Sequence, residues 1–154
     1  MASGPRIGDA APDFALEGTA GPFRLADQRG RRVVLLFYPG DFTPVCTKQF
    51  CTYRDQAPAM QSLDAEVVGI SDQELDSHER FRRRHDLTVP LLADPDREVA
   101  RAYGVTVPML GTRRATIIVD EDGIVRYRRV HQLGLDFEDA DELRQALAAL
   151  PARA

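Results

Sequence analysis

Two cysteines, Cys46 and Cys51, are the residues of this 154-residue chain whose type and spacing most invite chemistry. Cys46 follows the run Val33-Val34-Leu35-Leu36-Phe37, a break at Pro39-Gly40, and then Thr43-Pro44. A continuous apolar run of this length reads as a strand buried on both faces. Pro44 suits a first helical turn and Thr43 can cap it. Cys46 is therefore expected in the first turn of a helix that leaves the C-terminal end of a buried strand, where ligands gather in open α/β sheets. Unpaired N–H groups and the positive end of the helix dipole favour the thiolate there, and the thiolate is the nucleophile. Thr43, three residues earlier, can also offer its hydroxyl near the sulfur. A blander reading competes. Cys46, Phe50, Tyr53, Ala57 and Met60 recur at helical spacing, so Cys46 also fits as a small buried apolar residue. Position alone leaves both readings open.

Cys51 adds a geometric constraint. On an α-helix, residues five apart are rotated by roughly 140° and raised by about 7.5 Å, with Cα atoms roughly 8 to 9 Å apart. A disulfide does not span more than about 7 Å without backbone movement. A Cys46–Cys51 bond would thus need local unwinding, which makes the pair a poor static staple and suits it to a redox switch. Cys51 also reads as an idle cysteine. Two cysteines are too few for a four-ligand zinc site, and no adjacent histidine completes one. His78 and His85 could share a helix face and read as surface or half-buried polar residues; His131 stands alone after a strand.

The surrounding elements follow from pattern. Phe14 to Leu16 and Phe23 to Leu25 flank a glycine-containing turn and read as a short hairpin. Glu66 to Ile70 is a second buried strand. Ser77 to Asp86 is a helix capped by Ser77, and Pro95 to Tyr103 another, capped by Asp94 and ended by Gly104. Pro58 should kink the helix that carries the cysteines. Arg114 to Asp120 and Ile124 to Val130 are strands joined by Asp122-Gly123, a hairpin signal, and Glu138 to Leu150 is a closing amphipathic helix. Strands alternating with helices imply an α/β class with parallel pairs, the late hairpin adding an antiparallel edge. That order is compatible with a thioredoxin-like fold: a central mixed β-sheet flanked by helices, with an N-terminal hairpin extension. The length fits one domain over residues 1–154.

Composition excludes some classes. The net charge is −4, with 20 basic and 24 acidic residues, which argues against a nucleic-acid binder. Lys48 is the single lysine, and the arginines, including Arg82-Arg83-Arg84, are interspersed with acids as on solvated faces. The first residues lack a basic segment followed by an apolar stretch, and no segment reaches the ~20 apolar residues of a membrane span. The expectation is a cytoplasmic protein, where permanent disulfides are disfavoured.

Pro39, Thr43 and Cys46 form the pattern Pro, three residues, Thr, two residues, Cys. With Phe37-Tyr38, Pro44-Val45, Thr47, Cys51 and Arg54-Asp55, and downstream Pro90 to Asp94, Tyr103-Gly104-Val105 and Arg114-Ala115-Thr116, this resembles the peroxiredoxins of the bacterioferritin comigratory protein, or Q-type, subgroup. The resemblance implies a thiol peroxidase. Cys46 would be the peroxidatic cysteine, oxidised to a sulfenic acid. Thr43 would orient the hydroperoxide, Pro39 would shield the sulfur, and backbone N–H groups around Val45 and Cys46 would add donors. Arg114 would favour the thiolate and polarise the peroxide, with Arg113 the merely solvated neighbour. Cys51 would be the resolving cysteine, forming an intramolecular disulfide that thioredoxin or a similar dithiol reduces. No metal or organic cofactor is implied, and the subgroup leans towards a monomer, with a weak homodimer as the other form. Related sequences often carry Glu where this chain has Gln49; Gln accepts a hydrogen bond without bringing negative charge, which favours the thiolate slightly. A thioredoxin-like dithiol reductase would need a cysteine at position 43, where threonine stands. A peroxide-sensing protein with little turnover is the remaining alternative.

Overall fold

In the computed structural model, described over residues 4–109, 111–131 and 136–151, a five-stranded sheet organises the chain. The elements, in order, are β1 (Ala15–Leu16), β2 (Phe23–Arg24), β3 (Arg32–Phe37), α1 (Pro44–Asp55), α2 (Ala57–Gln61), β4 (Ala65–Ser71), α3 (Leu75–His85), β5 (Leu91–Ala93), α4 (Glu98–Ala102), β6 (Thr106–Val107), β7 (Gly111–Thr112), β8 (Ala115–Val119), β9 (Val125–Val130) and α5 (Ala140–Ala148). The sheet order is β5-β4-β3-β8-β9. β3, β4 and β5 are mutually parallel, while β8 runs antiparallel to both β3 and β9. The mixed sheet and the β1–β2 hairpin were expected. The late hairpin does more than add an edge: β8 pairs directly with the central strand β3, Leu35 opposite Ile117. Three short strands, β5, β6 and β7, were not anticipated from the sequence.

The apolar run Val33 to Phe37 is wholly buried, as a strand covered on both faces requires. Its side chains alternate between two cores. Val33, Leu35 and Phe37 join Val99, Tyr103 and Ile117 on one face. Val34 and Leu36 join Cys46, Phe50, Tyr53, Phe81, Ile118 and Leu143 on the other. Helix α1 lies close on this second face because β4 carries Gly69, where a Cβ would stand 2.9 Å from Phe50 Cζ.

Several boundaries differ from expectation, each for a local reason. Pro58 does not kink one helix but separates two: α1 ends at Asp55, Gln56 leaves helical geometry, and Pro58 sits in the first turn of α2. A proline has no N–H to donate, which is harmless only in the first turn of a helix. Helix α3 begins at Leu75, so Ser77 lies inside it and its hydroxyl bonds to Asp41 rather than capping. Helix α4 begins at Glu98, yet the Asp94 carboxylate still receives the N–H groups of Val99 (3.3 Å) and Ala100 (3.0 Å). Burial raises the Asp94 carboxyl above its ordinary value despite those donors. Helix α5 begins after Asp139, which forms a capping box with Glu142 and leaves Glu138 outside the helix. Among the described residues, no helix is long and apolar enough to cross a membrane.

Candidate active site

The chain leaves β3 through Tyr38, whose N–H still bonds to Ile70 O (3.0 Å), and turns over Pro39 to Phe42 into α1. Pro39 and Phe42 are exposed, and Phe42 has a positive φ of 63°. Thr43 occupies the N-cap position with extended backbone, and its carbonyl accepts the Thr47 N–H at 2.8 Å. Its side chain makes no cap: the hydroxyl donates instead to Gly40 O at 2.8 Å. Pro44 starts the helix, so the Val45 and Cys46 N–H groups fall in the first turn, where intrahelical acceptors are lacking.

Cys46 is fully buried. Arg114, at the entrance to β8 and only 2% exposed, brings Nη2 to 3.0 Å from Cys46 Sγ. Its Nη1 donates to Gln49 Oε1, one turn along α1. Arg114 is held from behind by the ladder, its carbonyl accepting the His131 N–H at 2.9 Å. A buried cation fixed against a sulfur stabilises negative charge there, and its fork spans two acceptors as a single ammonium could not. Arg113 is half-buried rather than solvated, and its N–H bonds to Val105 O at 2.6 Å. Cys51 is half-buried farther along α1, and both cysteines are free thiols. An intact α1 holds them at the helical separation of roughly 8 to 9 Å, beyond disulfide reach.

Two polar clusters brace this site, and sequence reasoning missed both. The first centres on Asp41. Its carboxylate accepts from Tyr38 OH (2.8 Å), Ser77 Oγ (2.7 Å) and His78 Nδ1 (2.7 Å), while its N–H donates to Gln73 Oε1 (3.0 Å). His78 is fully buried rather than on the surface or half-buried, and His85 lies tilted to Phe42 and edge-on to Phe81. Burial, then the charge and hydrogen bond of Asp41, push the Tyr38 hydroxyl well above its ordinary range, so it remains a donor. The second cluster centres on buried Glu138. Its carboxylate accepts from Thr116 Oγ1 (2.9 Å), Tyr127 OH (2.7 Å) and His131 Nε2 (2.7 Å). His131, expected to stand alone, is buried in this contact. Burial alone would raise the Glu138 carboxyl; the His131, Tyr127 and Thr116 hydrogen bonds outweigh it and hold the group below its usual value. For Tyr127, burial and then Glu138 push the phenol up to about 12. No local signal marks these residues, because His78 stands among Asp76, Ser77, Glu79 and Arg80, and Glu138 is followed by Asp139.

A strand-to-helix junction presenting a buried cysteine to a buried arginine, on a thioredoxin-like mixed sheet, defines a thiol-reactive class of protein. Comparison with known proteins narrows it. The AhpC/TSA family model matches residues 7–128, and the chain belongs to that family, the peroxiredoxins. Within it, the likeness is to the Q-type and Bcp proteins. Peroxiredoxin Bcp of Bacillus subtilis is 35% identical over 134 residues, 80% of this chain and 85% of its own length. The chloroplastic peroxiredoxin Q of Oryza sativa subsp. japonica is 40% identical over 123 residues, 78% of this chain; the match spans 57% of the rice protein. The crystal structure of peroxidoxin BcpB from Mycobacterium tuberculosis superposes with a TM-score of 0.84 at 31% identity, covering 96% of this chain and 99% of that one.

Proposed function

We propose that the chain is a thiol-dependent peroxidase that reduces hydrogen peroxide and organic hydroperoxides. The observation that carries this reading is the contact of Arg114 Nη2 with the buried Cys46 sulfur at 3.0 Å. The Cys46 thiolate attacks one oxygen of the hydroperoxide; an S–O bond forms, the O–O bond breaks, and the other oxygen leaves as water or an alcohol after taking a proton. Arg114 and the N–H groups of Val45 and Cys46 receive the charge that develops on the leaving oxygen. The Thr43 proton is committed to Gly40 O, so its oxygen keeps lone pairs to accept the hydroperoxide O–H and orient it. Pro39 covers the approach to the sulfur.

Cys51 is the resolving cysteine in this reading. Its thiol attacks the Cys46 sulfenic sulfur, the disulfide forms, and water leaves. The step requires α1 to unwind between the two residues, since the helix holds them too far apart. Thioredoxin or a similar dithiol then exchanges with the disulfide, restoring both thiols and becoming oxidised itself. The enzyme works as one domain, a monomer or weak homodimer in the cytoplasm, without nucleic-acid or membrane partners.

The test is a coupled assay with thioredoxin, thioredoxin reductase and several hydroperoxides. Continuous consumption that Cys46→Ser abolishes is expected. Oxidation that stops after one equivalent would overturn the enzymatic reading in favour of a sensor.

A further inference from the structure

We propose that Tyr53 is a positioning residue for the peroxidatic centre: through Gln49 it fixes the angle at which Arg114 meets Cys46, and the Glu138 cluster anchors it. This rests on the peroxidase reading above and adds residues to it.

The polarity of one hydrogen-bond chain carries the inference. Arg114 Nη1 donates to Gln49 Oε1, Gln49 Nε2 donates to Tyr53 OH at 3.1 Å, and Tyr53 OH donates to the Glu138 carbonyl at 2.6 Å. A carbonyl can only accept, so it claims the phenolic proton. The Tyr53 oxygen is then an acceptor towards α1 and must meet the NH2 end of the Gln49 amide. That leaves Oε1, and not the NH2, facing the guanidinium. The identity of the last group in the chain thus dictates the orientation of the amide beside the reactive sulfur. Donors that all point one way also polarise one another. Burial is what chiefly pushes the Tyr53 hydroxyl above its ordinary range, consistent with a phenol that keeps its proton.

The anchor returns to the strand from which the arginine comes. Glu138 is pinned by Thr116 Oγ1 at 2.9 Å. Thr116 stands two residues beyond Arg114, so both point to the same face of the sheet. Arg114, Gln49, Tyr53, Glu138 and Thr116 therefore form a closed circuit across α1 and β8. Tyr127 and His131 complete the grip on the carboxylate. Gln49, Tyr53 and Glu138 are all at most 1% exposed, so water does not substitute for a missing member.

Tyr53→Phe keeps the ring, which packs edge-on against Phe50 at 5.7 Å and Phe137 at 6.1 Å, and removes only the hydroxyl. Oxidation of Cys46 by hydrogen peroxide should slow by about five- to tenfold, as expected for losing one link in a buried network. The deciding readout is a double-mutant cycle with Gln49→Met. In that background the Tyr53→Phe change should alter the rate less than about 1.5-fold, because the link it acts through is gone. A general loosening of the fold would slow both backgrounds alike and would overturn the proposal. So would a Tyr53→Phe variant that matches its parent. A parent whose Cys46 does not react with peroxide would overturn the peroxidase reading, and this inference with it. If Tyr53→Phe does not fold, Tyr127→Phe carries the same cycle: it removes one donor to Glu138, and a two- to threefold slowing that vanishes with Gln49→Met is expected.

Discussion

Replacing Arg114 by methionine separates charge and hydrogen bonding from bulk. Arg114 is 2% exposed and spends one N–H on Cys46 Sγ and another on Gln49 Oε1. Methionine keeps most of the aliphatic stem and removes both bonds. A hydrogen bond to a charged partner contributes about 1.5–3 kcal/mol. At about 1.36 kcal/mol per decade, losing it at the reacting sulfur slows oxidation about 10- to 160-fold. If the guanidinium also receives charge on the leaving oxygen, the loss reaches about 10³-fold, the upper range for removing one such donor. Arg114→Lys retains charge but cannot span two acceptors, so an intermediate loss is expected. The chain has no tryptophan, so the reaction is best followed by mass. Protein in a Cys51→Ser background is mixed with peroxide, quenched with an alkylating agent at timed intervals and weighed intact. An Arg114→Met rate within about threefold of its parent would refute the assignment of Arg114 to the chemistry.

The other expectations concern resolution, packing and acid stability. Cys51→Ser should leave the first oxidation of Cys46 intact and eliminate the internal disulfide; the same disulfide content on non-reducing mass analysis would show the resolving assignment wrong. Gly69→Ala should destabilise the protein by about 1–3 kcal/mol in urea unfolding, because the new methyl meets Phe50 Cζ at 2.9 Å and Leu91 Cδ2 at 3.0 Å; a change below about 0.5 kcal/mol would mean that α1 shifts freely. Burial works against the Glu138 carboxylate, but the hydrogen bonds from His131, Tyr127 and Thr116 hold the carboxyl below its ordinary value in the fold, so its stabilisation is complete above the unfolded value and is lost as pH falls through the folded one. Glu138→Gln should therefore flatten the fall in stability as pH drops below about 5, and an unchanged slope would count against that role.

The strand-to-helix junction that carries Cys46 was legible because its signals are local. An apolar run, a Pro-Gly break, Thr43-Pro44 and Cys46 follow one another within fourteen residues and need no tertiary knowledge to align. The braces were not legible because their partners are far apart in sequence. Asp41 and His78 meet only when the loop after β3 comes against α3, and Tyr53 meets Glu138 across 85 positions. Ser77 shows how a local rule misleads: a hydroxyl near a helix start satisfies capping statistics, yet here a loop carboxylate binds it more tightly than its own backbone. Likewise Thr43 holds the cap position while its side chain turns back to Gly40, so type and place were read correctly and the bond was not.

The two cores on opposite faces of the sheet have a consequence for how far a loosening of α1 can spread. Cys46, Phe50 and Tyr53 belong to one core only, while Tyr103, Phe37 and Val99 complete the other without help from α1. A loosening of α1 therefore opens a single compartment. The strands between act as a bulkhead: their far side stays dry and their ladder stays paired, so the helix has a template on which to reform. A fold with one shared core would have to soften throughout to let two sulfurs meet. This one can confine the softening to the half that holds Cys46.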